Sequence, residues 1–122
     1  MEKTGYNINN YINTFDLCSN FLKYYMDCIN TDPYIMINDG VIKEYTTFNY
    51  NGNIYNKENM LTLMEMFKNS NINITNFQSL ESGSRRIDLL LCGVINENQF
   101  TQSMTICHLN ETWFIKNSII LM

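Results

Sequence analysis

An α+β fold, with helices packed on one face of an antiparallel sheet, is predicted from three features of this sequence. Apolar residues recur at helical spacing in the first part of the chain and again around residue 60. From Asn71 to the end the period changes to two, in four successive runs. Those runs are joined by short polar turns, which makes neighbouring strands antiparallel. With 122 residues, 45% of them apolar, there is material for one core, and no linker, repeat or low-complexity break divides it. A single domain over residues 1–122 is expected.

The first helix is read from about Tyr6 to Ile29. Phe15, Cys18, Leu22, Tyr25, Met26 and Ile29 recur at three and four, with Phe21 beside them. Asp32-Pro33 ends it, because proline disfavours helical geometry in the residue before it. A second helical turn is expected around Tyr34–Ile37, before Asn38-Asp39-Gly40 redirects the chain. Val41–Tyr50 reads as a strand rich in β-branched and aromatic residues. Asn51-Gly52 is a hairpin signal, since both central positions of a type I′ turn need positive φ, and Asn53–Tyr55 forms the return strand. Asn56 can cap a helix over Lys57–Lys68. Asn59 stands where the acidic partner of a capping box would be, so no full box is expected. Met60, Leu61, Met64 and Phe67 form its apolar stripe. The strands Asn71–Leu80, Arg86–Ile95, Gln99–Leu109 and Thr112–Met122 follow, turning at Glu81–Ser84, Asn96–Asn98 and Asn110-Glu111.

Composition narrows the function. The net charge is −4 and the eight cations are scattered, with Arg85-Arg86 their only pair, so direct nucleic-acid binding is not expected. Twenty Asn and no Ala follow from codon bias in an AT-rich genome, because the Asn are spread through periodic sequence. Cys18, Cys28, Cys92 and Cys107 form no C-x-x-C pair, so reduced thiols are expected rather than a metal or redox site. Met1 leads into a polar stretch rather than a signal peptide, and no apolar run approaches the roughly 20 residues that span a membrane. Cytosol or nucleus is the expected location.

The sheet carries the main functional signal. Arg86–Ile95 alternates Ile87, Leu89 and Leu91 against Asp88, Leu90, Cys92 and Val94, so both faces are largely apolar. In the last strand, Trp113, Ile115, Ile119 and Leu121 oppose Phe114, Ile120 and Met122. A sheet with one wet face is polar there. Pairing with another subunit through the outer face would cover it, unless the ends of a strongly curved sheet fold over themselves. Catalysis finds less support: His108, the only histidine, falls at a strand end beside a turn, Asp88 falls opposite Ile87, Leu89 and Leu91, and Asp16, Asp27, Glu44 and Glu65 lack partners at fixed spacing. No metal or cofactor is expected.

Three matches, in order, resemble the nuclear transport factor 2 family. Phe21-Leu-Lys-Tyr-Tyr25 followed by Asp32 is similar to the family's Phe-x-x-x-Tyr pattern, and Leu90-Leu-Cys-Gly-Val94 to its apolar strand ending in Gly. Phe100-Thr-Gln102 through Asn110-Glu-Thr-Trp113 to Asn117 is similar to its Phe-x-Gln … Asn-Asp-x-Trp … Asn-Asp ending. The resemblance covers about Phe15 to Met122 and implies the family's cone-like α+β fold, with helices packed on a strongly curved antiparallel sheet. It also implies a noncatalytic nucleocytoplasmic transport factor, in nucleus and cytoplasm and at the nuclear pore. Tyr50-Asn51-Gly52-Asn53 resembles the Trp-Asn-Gly-Asn of the small subunit of the mRNA export receptor heterodimer more than the Trp-Glu-Gly of the Ran-GDP carrier. The carrier's acidic contact corresponds to Asn51, only Glu97 remains near its second, and its N-terminal Trp for Phe-Gly nucleoporins falls near Thr14 and Phe15. An mRNA export cofactor is therefore expected before a homodimeric importer of Ran-GDP. A small cavity enzyme of isomerase or dehydratase type comes third. By the same resemblance, Leu90, Cys92, Ser103 and Ile119 belong to a homodimer or heterodimer interface with a related domain. Tyr50, Asn51 and Gly52 stand at a cavity rim, Tyr50 serving binding more than stability. Phe21, Tyr25, Phe48 and Phe67 bound an apolar mouth that is structural or takes a partner's aromatic side chain.

Overall fold

Helix α1 spans Glu2–Thr31, and the computed structural model describes the backbone of residues 2–122 and side chains from Thr14 onward. Met1 and the side chains of 2–13, on which the reading of a polar leader rests, lie outside the described residues. Cys18, Leu22, Tyr25 and Ile29 are buried along one face of α1, as their spacing predicts, and Phe21 and Cys28 flank them. Phe15 departs from that stripe. It is exposed and stacks on Phe77, ring centroids 5.6 Å apart. At the helix end the Tyr34 N–H donates to Asp32 Oδ1, and α2 (Ile35–Asn38) follows.

Strand β1 (Ile42–Tyr50) turns through Asn51 and Gly52, at φ 51° and 92°, into β2 (Asn53–Tyr55). These are the positive values that a type I′ turn requires. Helix α3 spans Met60–Lys68, later than expected, because residues 57–59 form a turn. A reciprocal cap does form before it: Asn56 Oδ1 accepts from Glu58 N, and Asn59 Oδ1 accepts from Asn56 N at 2.7 Å. Asparagine thus does the work of the usual acidic residue. The buried stripe of α3 is Met60, Leu63, Met64 and Phe67. Leu61, expected within it, is exposed, because the i, i+3, i+4, i+7 face of the shorter helix excludes it.

The remaining strands are β3 (Ile72–Gly83), β4 (Arg86–Ile95), β5 (Asn98–Leu109) and β6 (Thr112–Leu121). They pair antiparallel in sequence order, and β1 joins β6 in parallel, giving the sheet order β2-β1-β6-β5-β4-β3. The β4–β5 and β5–β6 turns have positive φ at Asn96, Glu97, Asn110 and Glu111, so asparagine again leads each tight turn. Helix α1 packs on β3 and α3, and the core lies between the helices and one face of the sheet. Tyr25, Phe48 and Phe67 fill its centre, each contributing about 1.5–3 kcal/mol by burial.

A register shift in the β5–β6 ladder changes the predicted faces of β6. Thr105 pairs with Asn117 but Ile106 with Ile115, leaving Lys116 unpaired in a bulge. Ile115 is therefore buried, while Ile119 and Leu121 beyond the bulge are exposed. The expected grouping of Ile115 with Ile119 is corrected on this ground.

Candidate functional site

The register of the ladders assembles the outer sheet face row by row. Gln78 pairs with Leu90, Leu90 with Ser103, Ser103 with Ile119, and Ile119 with Asn49. One row therefore runs across five strands, with Leu90, Ser103 and Ile119 at its middle. The next row contains Asn76, Cys92, Thr101 and Leu121. The structure thus brings together all four residues expected at an interface, Leu90, Cys92, Ser103 and Ile119. Leu90 is 52% exposed, Ile119 45% and Leu121 57%. These large apolar side chains are uncovered because both α1 and α3 pack on the opposite face. At one end of the surface a groove of about 610 Å³ is lined by Cys92, Val94, Thr101, Leu121 and Met122, among others. Val94, Leu121 and Met122 were not named as interface candidates, although the alternation in β4 and β6 placed the first two on this face.

The third row is polar beyond Leu80 at its edge. Asp88 lies between Leu80 and Thr105, and Thr105 Oγ1 donates to Asp88 Oδ1 at 2.8 Å. Arg86 Nε lies 3.5 Å from the same oxygen. The Thr105 hydrogen bond holds the Asp88 carboxyl below its ordinary value, against a smaller opposing effect of burial. Asp88 therefore stands as a fixed anion beside the apolar rows.

The second group of expected site residues lies elsewhere, and its members divide. Tyr25, Phe48 and Phe67 are inside the core, and Phe21 is nearly so, so they fill the interior rather than bound an open mouth. Phe48 and Phe67 meet edge to face at 6.0 Å. Tyr50 is half-buried and leans on Phe67 at 6.2 Å, which gives it a packing role that the sequence reading had placed second to binding. Asn51 and Gly52 are exposed at the turn, but Asn51 also has structural work. Its Oδ1 accepts from Met122 N at 2.9 Å, and its own N–H donates to Ile120 O, tying the end of β6 to the hairpin. Asn49 Oδ1 accepts from Gly52 N across the turn.

Sequence reasoning missed a buried polar cluster beneath that turn. Gln102 is fully buried, and its Nε2 donates to Tyr25 Oη at 3.0 Å and to Ser118 Oγ at 2.8 Å. Ser118 Oγ donates to Ser103 O, which links the cluster to the interface row. Gln102 Oε1 has no partner among the described residues. The available signal was an uncharged polar residue at an inward position of β5, between Phe100 and Met104. Burial raises the Tyr25 hydroxyl well above the ordinary tyrosine value, so it remains a neutral hydrogen-bonding group.

The other titratable candidates are dispersed. His108 lies against Trp113 near the β5–β6 turn, the rings tilted with centroids 5.1 Å apart. Tyr24 Oη donates to Asp39 and Tyr34 Oη to Glu65, both at exposed positions. Burial raises the Cys18 and Cys28 thiols, which favours their neutral forms. Among the described residues no group of three His, Cys, Asp or Glu is placed to hold a metal, and no helix is long and apolar enough to cross a membrane.

The sequence matches no family model and no curated protein. Solved structures do resemble it. An NTF2-like protein from Cytophaga hutchinsonii superposes with a TM-score of 0.71 at 10% identity, over 87% of this chain and 95% of the other. The fold is NTF2-like. The association domain of C. elegans CaMKII superposes with a TM-score of 0.74 at 10% identity, over 89% and 95% of the two chains. A de novo designed protein with a curved β-sheet reaches 0.65 at 16% identity, over 89% and 97%. At these identities the likeness is one of fold, which hosts many functions.

Proposed function

We propose that this NTF2-like chain is a noncatalytic protein-association domain that pairs through the outer face of its sheet. The observation that supports this most is the row of Leu90, Ser103 and Ile119, flanked by Cys92 and Leu121, uncovered on a face that no helix reaches among the described residues. Pairing removes that apolar surface from water at about 25 cal/mol per Å², before association costs are subtracted. The partner is a second copy or a related domain, since a similar sheet offers a matching face. One neighbour of the same fold being an association domain agrees with this use. The noncatalytic reading is supported by the aromatic filling of the interior and by the dispersal of His108, Asp88 and Asp39 over separate surfaces.

The finer assignment rests on sequence likeness. Tyr50-Asn51-Gly52-Asn53 favours the small cofactor subunit of an mRNA export receptor, acting in nucleus and cytoplasm at the nuclear pore. Two differently tagged copies, expressed together in the native cells and purified through one tag, test the pairing and its partner. Recovery of the second tag supports the homodimer, and recovery of a larger protein with a related domain supports the heterodimer. A chain recovered alone contradicts association. If an mRNA export receptor is the larger protein, the transport assignment stands. Ran, retained with GDP and lost with GTP, would replace it with the carrier role and its Phe-Gly nucleoporin contacts.

A further inference from the structure

The two edges of the sheet are treated differently. β2 is only three residues long, and Asn59 Nδ2 donates to its Ile54 carbonyl at 3.1 Å. Short length and a side-chain cap both blunt an edge. β3, the opposite edge, is twelve residues long. Its first part is also closed, because Asn30 grips Ile72 from α1. Asn30 Oδ1 accepts from Ile72 N at 2.8 Å, and its Nδ2 donates to Ile72 O at 2.9 Å. Met26 Sδ accepts from Ile74 N at 3.2 Å. Side chains of α1 thus take the place that a seventh strand would occupy.

The second part of β3 lacks such a cover among the described residues. Ile72 and Ile74 direct their backbone groups away from β4, and the register shift between Ile74 and Asn76 moves that role to odd-numbered residues. Phe77, Ser79 and Glu81 therefore point N–H and C=O groups outward, while Gln78 and Leu80 bond toward β4. A second register shift, between Glu81 and Gly83, closes the open stretch. Beside it lies a groove of about 290 Å³, lined by Thr14, Phe15, Ser79, Leu80 and Glu81. Phe15 and Leu80 on its walls are 61% and 68% exposed. The stretch contains no proline or lysine, and Glu81 is its only charge.

We propose that this open edge, Phe77 to Glu81, pairs antiparallel with the same segment of a second copy of the chain. An alternating row of donors and acceptors is satisfied by another extended backbone. Self-pairing is selected by the side chains. With a two-fold axis at Ser79, Ser79 faces itself, Glu81 faces Phe77 of the second copy, and Leu80 faces Gln78. No like charges are opposed, and about six backbone hydrogen bonds close the three outward positions. This contact uses the sheet edge and is separate from the outer-face pairing.

The test is amide hydrogen exchange read residue by residue over rising protein concentration, in the Leu90→Arg variant. That background removes outer-face pairing where it exists and, although Leu90 lies beside Gln78, keeps every outward backbone group of the edge, so failure of one contact is distinguishable from failure of the other. Exchange at Phe77, Ser79 and Glu81 is expected to slow by at least about tenfold as the chain associates, while Gln78 and Leu80 are protected throughout. Exchange at the three odd positions that stays fast at every concentration overturns the proposal. Leu80→Lys, at an exposed position, brings two ammonium groups close to the axis and is expected to abolish the concentration dependence without unfolding the chain. Retention of that dependence would contradict the register.

Discussion

Gly93 occupies the tightest position in the sheet, and replacing it with alanine gives a quantitative test of the β3–β4 register. Gly93 pairs with Ile74, beside the bulge of β3, and with Phe100 on β5. A Cβ added there would overlap Asn73 O, stand 2.9 Å from Ile74 Cα and 2.8 Å from Phe100 Cε1. The phenyl ring can tilt, but the two backbone atoms belong to the paired strand and can withdraw only by weakening its ladder bonds. Overpacking costs about 1–3 kcal/mol where side chains can yield, and a backbone obstacle places this substitution at about 3 kcal/mol. For a chain of this size that corresponds to a melting temperature lower by roughly 10 °C. Thermal unfolding followed by circular dichroism, at matched protein concentration, measures it. A melting point within roughly 2 °C of the parent would refute the close approach of β3 to β4 on which both the outer rows and the open edge depend.

Three further outcomes are expected. Asn30→Leu leaves the Ile72 N–H and C=O without their clamp and should cost about 2 kcal/mol in chemical denaturation, an unchanged midpoint counting against the clamp. Tyr50→Ala should cost about 2 kcal/mol through lost packing on Phe67, and a neutral result with weakened partner binding would return Tyr50 to a pure recognition role. Thr105→Val should raise the Asp88 carboxyl above its present lowered value, as followed by NMR titration. Because the folded value is lowered from 3.8, the contribution of Asp88 is present above that pH and is lost as pH falls through the folded value. With Asp88 partly in solvent the contribution is below about 1 kcal/mol, and a titration unmoved by Thr105→Val would contradict the assigned cause.

The sequence displayed the helices, the hairpin and the meander because periodicity and turn residues are local properties. The composition of the outer face was equally legible: Leu90 and Cys92 had to share a face in any strand pairing of β4. Facing across strands was not. The Lys116 bulge reverses the alternation of β6, and nothing in Phe-Ile-Lys-Asn marks where the extra residue falls. The bulge near Thr75 likewise decides which β3 amides point outward. Leu61 looked like core until the late start of α3 set the phase of its stripe. Asparagine content misled most. Asn30, Asn51 and Asn96 use side-chain amides to satisfy backbone groups 42, 71 and 25 residues away, separations that no local pattern reveals, whereas Asn56 and Asn59 act within their own turn. Codon bias can supply asparagine, but these positions put it to structural use.

Sedimentation of the parent chain beside Leu90→Arg tests the central claim most directly. Leu90 sits at the middle of the outer-face row, so an unpaired guanidinium there would be buried between subunits, and the dissociation constant should rise by at least about a hundredfold. At protein concentrations too low for the edge contact, the parent should sediment as a pair, with itself or its related partner. The variant should stay folded, with a cooperative melting transition lowered only by the stabilisation that pairing gave, and should have lost this pairing. A variant that sediments like the parent would show that the outer face is not the interface.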